Sequence, residues 1–279
     1  MTKSTVDGPW TLVVTPESAG WGHAGLRVVA LAPGESVEFS LPADEALVLP
    51  LSGACRVECA GQKLELAGRP SPFAGPTDLA YLPVGSPVRL STVDGGRFAV
   101  PTARATRGLP LRYVAAADVA VELRGAGACS RQVHNFGTPG ELDAEKLIAC
   151  EVLTPGGNWS SYPPHKHDEE RDGELPLEEI YYFEVARDGM AYQRVYGTAA
   201  RPIDVLEQVH TGDVVLVPHG WHGPSMAAPG YDLYYLNVMA GPSAQRAWLI
   251  CDDPAHAWVR RTWPGQPVDP RLPMGRRLP

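Results

Sequence analysis

Short apolar runs divided by glycine and proline are the feature that most narrows the folds open to this chain. In the first half "ALVLPLSG" (46–53), "CRVECAG" (55–61), "DLAYLPVG" (78–85), "PVRLST" (87–92) and "GRFAVPTA" (96–103) follow one another. They are rich in Val and Leu as a set, and each is bounded on at least one side by Gly, Pro or Asp, the residues that make turns. An amphipathic helix needs apolar positions at roughly 3.6-residue spacing over about ten residues or more, and these runs are too short for that. With 29 Gly and 28 Pro among 279 residues, long helices have few places to form. "GELDAEKLIAC" (140–150) is the best helical candidate. Many short strands with turn signals between them predict an all-β chain built as a sandwich or barrel.

The second half repeats the style. "EEIYYFEV" (178–185), "AYQRVYG" (191–197), "DVVLVPHG" (213–220) and "YDLYYLNVMAG" (231–241) read as four strands separated by turns. "DLAYLPVGSPV" in the first half and "DVVLVPHGWHG" in the second occupy comparable places, each a strand ending in Pro-x-Gly. Two related β-barrels in tandem account for this, with few short helices and with lobes at 1–125 and 126–279.

A net charge of −8 argues against nucleic acid or an acidic membrane surface as the partner. It leaves room for a small anion held by a local arginine. The 5 cysteines are odd in number and form no CxxC pair, which reads as reduced thiols in a cytoplasmic protein. The stretch "MTKSTVDGPWTLVV" has no basic segment before an apolar core, so no secretory signal is expected there. No apolar stretch approaches the ~18 residues a membrane helix needs.

Chemistry concentrates in "SSYPPHKHDEERDGELPLEEIYYFEV" (160–185). On an extended strand His165 and His167 leave from one face, and Lys166 points the other way. Glu179 opens an apolar strand on which Tyr181 and Phe183 share its face. Further on, His222 follows the strand and Pro-x-Gly turn of "GDVVLVPHGWHG". Three imidazoles and a carboxylate suit a divalent first-row ion such as Zn, Mn, Fe, Co or Ni, and zinc heads that series. Two places in the set stay open. Glu178 competes with Glu179, although strand parity favours Glu179, and His219 competes with His222.

These residues resemble the two sequence blocks of the cupin superfamily, small jelly-roll barrels that hold a metal inside. The likeness places that family's metal ligands on His165, His167, Glu179 and His222. "GGNWSSYPPHKHD", "LEEIYYFEV", "QRVYG", "VVLVPHGWHGPSMAAPGYDLYYLNVMAGP" and "DDPAHAW" together resemble the 5-deoxy-glucuronate isomerase family of myo-inositol catabolism, through most of residues 128 to 260. The first lobe has one histidine, His23, and no H-x-H, so it is expected to be a barrel without metal ligands.

The resemblance implies an aldose–ketose isomerisation of 5-deoxy-D-glucuronate to 2-deoxy-5-keto-D-gluconate through an enediol, with a divalent ion as Lewis acid and no redox cofactor. Around the ligands, a metal-bound hydroxide, a nearby carboxylate or a tyrosine such as Tyr181 is the candidate proton carrier, and Arg194 is the leading partner for the substrate carboxylate. Tyr235 and Asn237 are expected to line the cavity, with Glu179, Tyr181, Arg194 and Tyr235 forming the catalytic set. His256 is given a structural place. The expected partner is a small sugar acid, with no nucleic acid and no membrane, and exposed sheet edges allow a homo-oligomer. Two other chemistries fit the same ligands: an iron(II) cupin dioxygenase and a non-enzymatic sugar-binding cupin.

Overall fold

The strand Asp44–Cys59 shows how the N-terminal half closes on itself. Its first part lies between Gly96–Arg104 and Leu79–Leu82, and its second part pairs with Gln62–Arg69 and Pro87–Ser91. The change of partners falls at Gly53, where the register shifts and φ is 81°. A Cβ at Gly53 would sit 2.3 Å from the Gly95 carbonyl oxygen, so only glycine lets the strand bend there. The two runs that the sequence separates, 46–53 and 55–61, are thus one bent strand serving two sheets. Val48, Val57, Leu82, Leu90, Phe98 and Val100 fill the space it encloses.

The structure is a computed structural model and describes residues 8–275; the stretch read above for a leader begins at residues 1–7, which lie outside the described residues. The chain forms two compact units that interleave along the sequence. One contains the described residues up to Ala120 together with Phe136–Ala149 and Val238–Ala240; the other contains Val121–Asn135, Cys150–Asn237 and the residues from Gly241 on. The expected division after residue 125 is, by contrast, continuous along the chain.

The second unit carries His165, His167 and His222. One sheet runs in the order Ala120–Arg124, Arg131–Gly137, Ile148–Thr154, Leu233–Ala240, Glu178–Val185 and Val214–Val217. The other runs Asp204–Val209, Ala191–Tyr196, Trp221–Ala227, His165–Lys166 and Cys251–Asp252, with Trp159–Ser160 also paired to Trp221–Ala227. Inward residues of both sheets, among them Val133, Phe183, Val195, Val217, Leu233 and Tyr235, make one core. This is the all-β jelly-roll architecture, and the only α-helix among the described residues is the four-residue Pro16–Ala19. No helix is long and apolar enough to cross a membrane among those residues.

The helix expected over 140–150 is absent. The buried carboxylate of Glu45 accepts the backbone N–H groups of Glu145, Lys146 and Leu147 at 2.8, 2.6 and 2.7 Å. The Glu145 carboxylate in turn accepts the N–H of Thr106 at 2.7 Å. Charged acceptors hold the segment as irregular chain, and from Ile148 it becomes strand. A tertiary partner has overruled local propensity. All 5 cysteines are free thiols, and Cys55, Cys59 and Cys150 are buried.

Candidate functional site

His165 and His222 stand opposite each other in antiparallel register, and Asp252 faces His165 from the other neighbouring strand. The His165 and His222 rings are 4.4 Å apart between centres, and those of His167 and His222 4.7 Å. Glu179 reaches them from the other sheet. Its Oε2 lies 3.0 Å from His167 Nε2 and 2.9 Å from His222 Nε2, while Oε1 accepts the Asn237 side-chain N–H. Ligand atoms of His167, Glu179 and His222 all fall within 4.8 Å of one another, and no other such trio of His, Cys, Asp or Glu occurs among the described residues. His165 packs beside this trio rather than within it. All four side chains are buried.

The imidazoles share one arrangement. Nδ1 of His165, His167 and His222 each faces a backbone carbonyl, that of Pro163 at 3.3 Å, Leu177 at 3.0 Å and Gly220 at 3.3 Å. With Nδ1–H donated, Nε2 carries a lone pair, and in the trio that lone pair faces a carboxylate. His222 Nε2 is accordingly buried without a hydrogen-bond partner although Glu179 is 2.9 Å away. Imidazole nitrogens and a carboxylate converging on one buried point form a donor set that fits a divalent ion.

The electrostatics agree. Burial alone would raise the Glu179 carboxyl, but the His222 and His167 rings outweigh it and hold the group far below the usual carboxylate range. Burial, followed by the neighbouring His222, pushes His165 well below the ordinary imidazole value, so it is neutral and its lone pair is available. Burial also depresses His167, but the Glu179 carboxylate more than compensates and the net shift is upward.

Asp168 to Glu178, the long segment between His167 and Glu179, is a clamp. Lys166 points away from the histidines and its Nζ meets Asp168 at 2.6 Å and Glu174 at 2.8 Å, lying over the Trp221 ring. Asp168 Oδ2 accepts the Gly220 N–H at 2.9 Å, which ties the H-x-H segment to the turn before His222. The Leu177 N–H donates to the His167 carbonyl, so the Leu177 carbonyl is fixed where His167 Nδ1 needs it. A Cβ on Gly223 would sit 1.7 Å from the Ser161 carbonyl oxygen, which makes glycine obligatory beside His222.

His165 and Glu179 line a cavity of about 410 Å³ together with Ser161, Tyr181, Tyr235 and Asn237. The hydroxyls of Tyr181 and Ser161 are 3.0 Å apart, and Tyr235 donates to Ser160 Oγ at 3.0 Å. Burial raises both phenols above their ordinary value. Ser161 has φ 48°, a left-handed backbone that few residues with side chains adopt.

Arg194 is not brought to this cavity. Side chains of the Ala191–Tyr196 strand alternate, with Gln193 and Val195 inward and Arg194 outward. Its guanidinium pairs with Asp204 and donates to the carbonyls of Val195 and Val205, beside a separate groove that includes His256. Of the competitors, Glu178 is only half-buried and lies outside the trio, as does His219. The cavity instead contains Arg124, Arg131 and Arg260, which no motif had singled out, and Asp252, which opens the "DDPAHAW" stretch but was given no role. They come from scattered segments beside turns, and no spacing in the chain connects them to the histidines.

Fold and site together define a cupin, a jelly-roll barrel with imidazoles and a carboxylate turned inward toward one point. The KduI/IolB family model matches residues 1–259, and the chain belongs to that family. It is 42% identical over 250 residues to the 5-deoxy-glucuronate isomerase of Geobacillus thermodenitrificans, covering 88% of this chain and 89% of the relative. It is 37% identical to the enzyme of that name from Bacillus subtilis strain 168, covering 88% and 91%. Among solved structures, an IolB-like protein from Salmonella typhimurium superposes with a TM-score of 0.86 at 35% identity, covering 92% of this chain and 98% of that one. Lactobacillus farciminis oxalate decarboxylase superposes with a TM-score of 0.64 at 14% identity, covering 90% and 86%, a likeness of fold alone.

Proposed function

We propose that this chain is a metal-dependent aldose–ketose isomerase that converts 5-deoxy-D-glucuronate to 2-deoxy-5-keto-D-gluconate. The observation that carries the reading is the common imidazole arrangement: Nδ1 of His165, His167 and His222 faces a backbone carbonyl, and Nε2 of His167 and His222 turns to the buried Glu179 carboxylate. His165, His167, Glu179 and His222 would hold the ion, with zinc first among the candidates. When bound, such an ion supplies Lewis-acid stabilisation to the oxyanion that develops at the substrate carbonyl.

The reaction moves one proton from carbon 2 to carbon 1 and one from the oxygen on carbon 2 to that on carbon 1, with no net oxidation. The protein therefore has to hold the aldehyde end still and exclude water while protons move. Asn237 orients Glu179, and the buried phenols of Tyr181 and Tyr235 present hydroxyls to the cavity. Tyr181, held by Ser161 and sharing its strand face with Glu179, is our candidate for carrying a proton between substrate oxygens. The first barrel, with no comparable ligand trio among its described residues, serves packing and assembly in this reading.

The test is conversion of 5-deoxy-D-glucuronate by purified protein without nicotinamide or oxygen, with metal analysis of the same sample. Turnover should depend on a bound divalent ion and vanish in His165→Ala and His222→Ala variants that keep their fold. Full activity in both variants would defeat the assignment, and oxygen uptake in place of isomerisation would point to dioxygenase chemistry.

A further inference from the structure

Three guanidinium groups line the cavity, and two of them are neutralised within the protein. Arg124 grips Glu122 through Nε and Nη2 at 2.8 and 2.7 Å. Arg260 holds Asp252 through the same two atoms, with Nη2 to Oδ1 at 2.7 Å. Arg131 has no carboxylate within ion-pair distance among the described residues. Its side chain donates from Nη1 to the Cys129 carbonyl at 3.0 Å and lies 5.3 Å from the Trp263 ring centre.

Arg131 is also buried, with 5% of its surface exposed. Burying a guanidinium without a counter-charge is strongly unfavourable, and arginine does not escape by losing its proton at neutral pH. Burial, with the added repulsion of Arg124 and Arg260, draws its pKa down only to about 10, so the charge remains. A carbonyl and an aromatic face compensate part of it. The rest calls for an anion, and the cavity is the open side of the group.

We infer that Arg131 anchors the substrate carboxylate and so makes the site specific for acid sugars. The identity of that acid rests on the isomerase reading, but the anchor itself rests on the unpaired charge. In 5-deoxy-D-glucuronate the carboxylate is carbon 6, at the opposite end of the chain from the carbons that exchange the proton. A planar fork of N–H groups binds a carboxylate through two parallel hydrogen bonds and fixes its direction as well as its position. An alcohol in its place would leave Arg131 unpaired, and a site built around a charged partner rejects an analogue that lacks it.

The experiment compares kcat/KM of the zinc-loaded wild type and Arg131→Met for 5-deoxy-D-glucuronate and for 5-deoxy-D-glucose, its carbon-6 alcohol. Binding of D-glucuronate is followed in parallel by calorimetry. Methionine keeps the alkyl packing, and zinc content with circular dichroism verifies the fold; Arg131→Lys, which keeps charge and loses the fork, is the second variant. Arg131→Met should lose roughly 100- to 1,000-fold on the acid, mainly through KM, and change less than about threefold on the alcohol, with Arg131→Lys between. Calorimetric affinity for glucuronate should fall in the same order. Equal losses on both sugars, or unaltered glucuronate affinity, would overturn the anchor and leave the isomerase reading standing. Arg131-dependent binding of glucuronate by a wild type that isomerises nothing would sink the isomerase reading and leave the anchor.

Discussion

Asn237 donates its side-chain N–H to Glu179 Oε1 from the adjacent strand, and that leaves Oε2 alone to face His167 and His222. Both residues are buried, so the hydrogen bond fixes which carboxylate oxygen points at the imidazoles. Groups that orient a metal ligand in this way are worth roughly 10- to 100-fold in affinity. Asn237→Leu, similar in volume and unable to donate, should keep the fold and weaken zinc binding by about that factor. Competition against a fluorescent chelator measures it, and unchanged affinity would show that Glu179 needs no such guide.

Metal should also stabilise the fold. An ion that binds only the native state adds roughly 4 kcal/mol at a free concentration a thousand times its Kd. Thermal unfolding of metal-free protein with and without zinc should therefore show a rise in Tm of several degrees in the wild type. In Glu179→Gln the central carboxylate is lost, and the rise should largely disappear. Equal zinc-induced shifts in both proteins would place the ion elsewhere.

Arg194→Ala is expected to be nearly silent. The side chain is on the outward face of its strand and pairs with an exposed Asp204, and such surface pairs contribute about 0–1 kcal/mol. Turnover of 5-deoxy-D-glucuronate should stay within about twofold of wild type. A large loss in KM would return Arg194 to the substrate site.

The contrast between Arg194 and Arg131 shows what a sequence can reveal here. The sequence could bring His165, His167, Glu179 and His222 together as candidates because side-chain direction along a strand has a period of two and because these residues flank turns of fixed form. The same parity separates Glu179 from Glu178 and should have warned against Arg194, one residue out of phase with the inward Gln193 and Val195. Arg131 was invisible because its significance is the absence of a counter-charge, a property of three-dimensional neighbours. The helix expected over 140–150 failed for a related reason: Glu45, about a hundred residues earlier, takes that segment's amides. The Asp44–Cys59 strand read as two because a bend at glycine and a hairpin turn have the same composition.

Glu174 provides a test of the clamp behind the histidines through pH. Its carboxylate is buried and accepts from Lys166, the Asp168 N–H and Arg171. Burial raises its pKa, but these donors together outweigh burial and leave it below the ordinary carboxylate value. A carboxyl depressed on folding stabilises the native state above its unfolded pKa, and that contribution is lost as pH falls through the lower, folded value. Glu174→Gln keeps the shape and removes the charge, which should destabilise the protein by roughly 1–3 kcal/mol at neutral pH. In urea unfolding of metal-free protein, the gap between wild type and variant should be constant from about pH 6 to 7 and narrow steadily below about pH 4. A gap that widens on acidification would mean that Glu174 is protonated in the native state and that Lys166 is held by Asp168 and Glu169 alone.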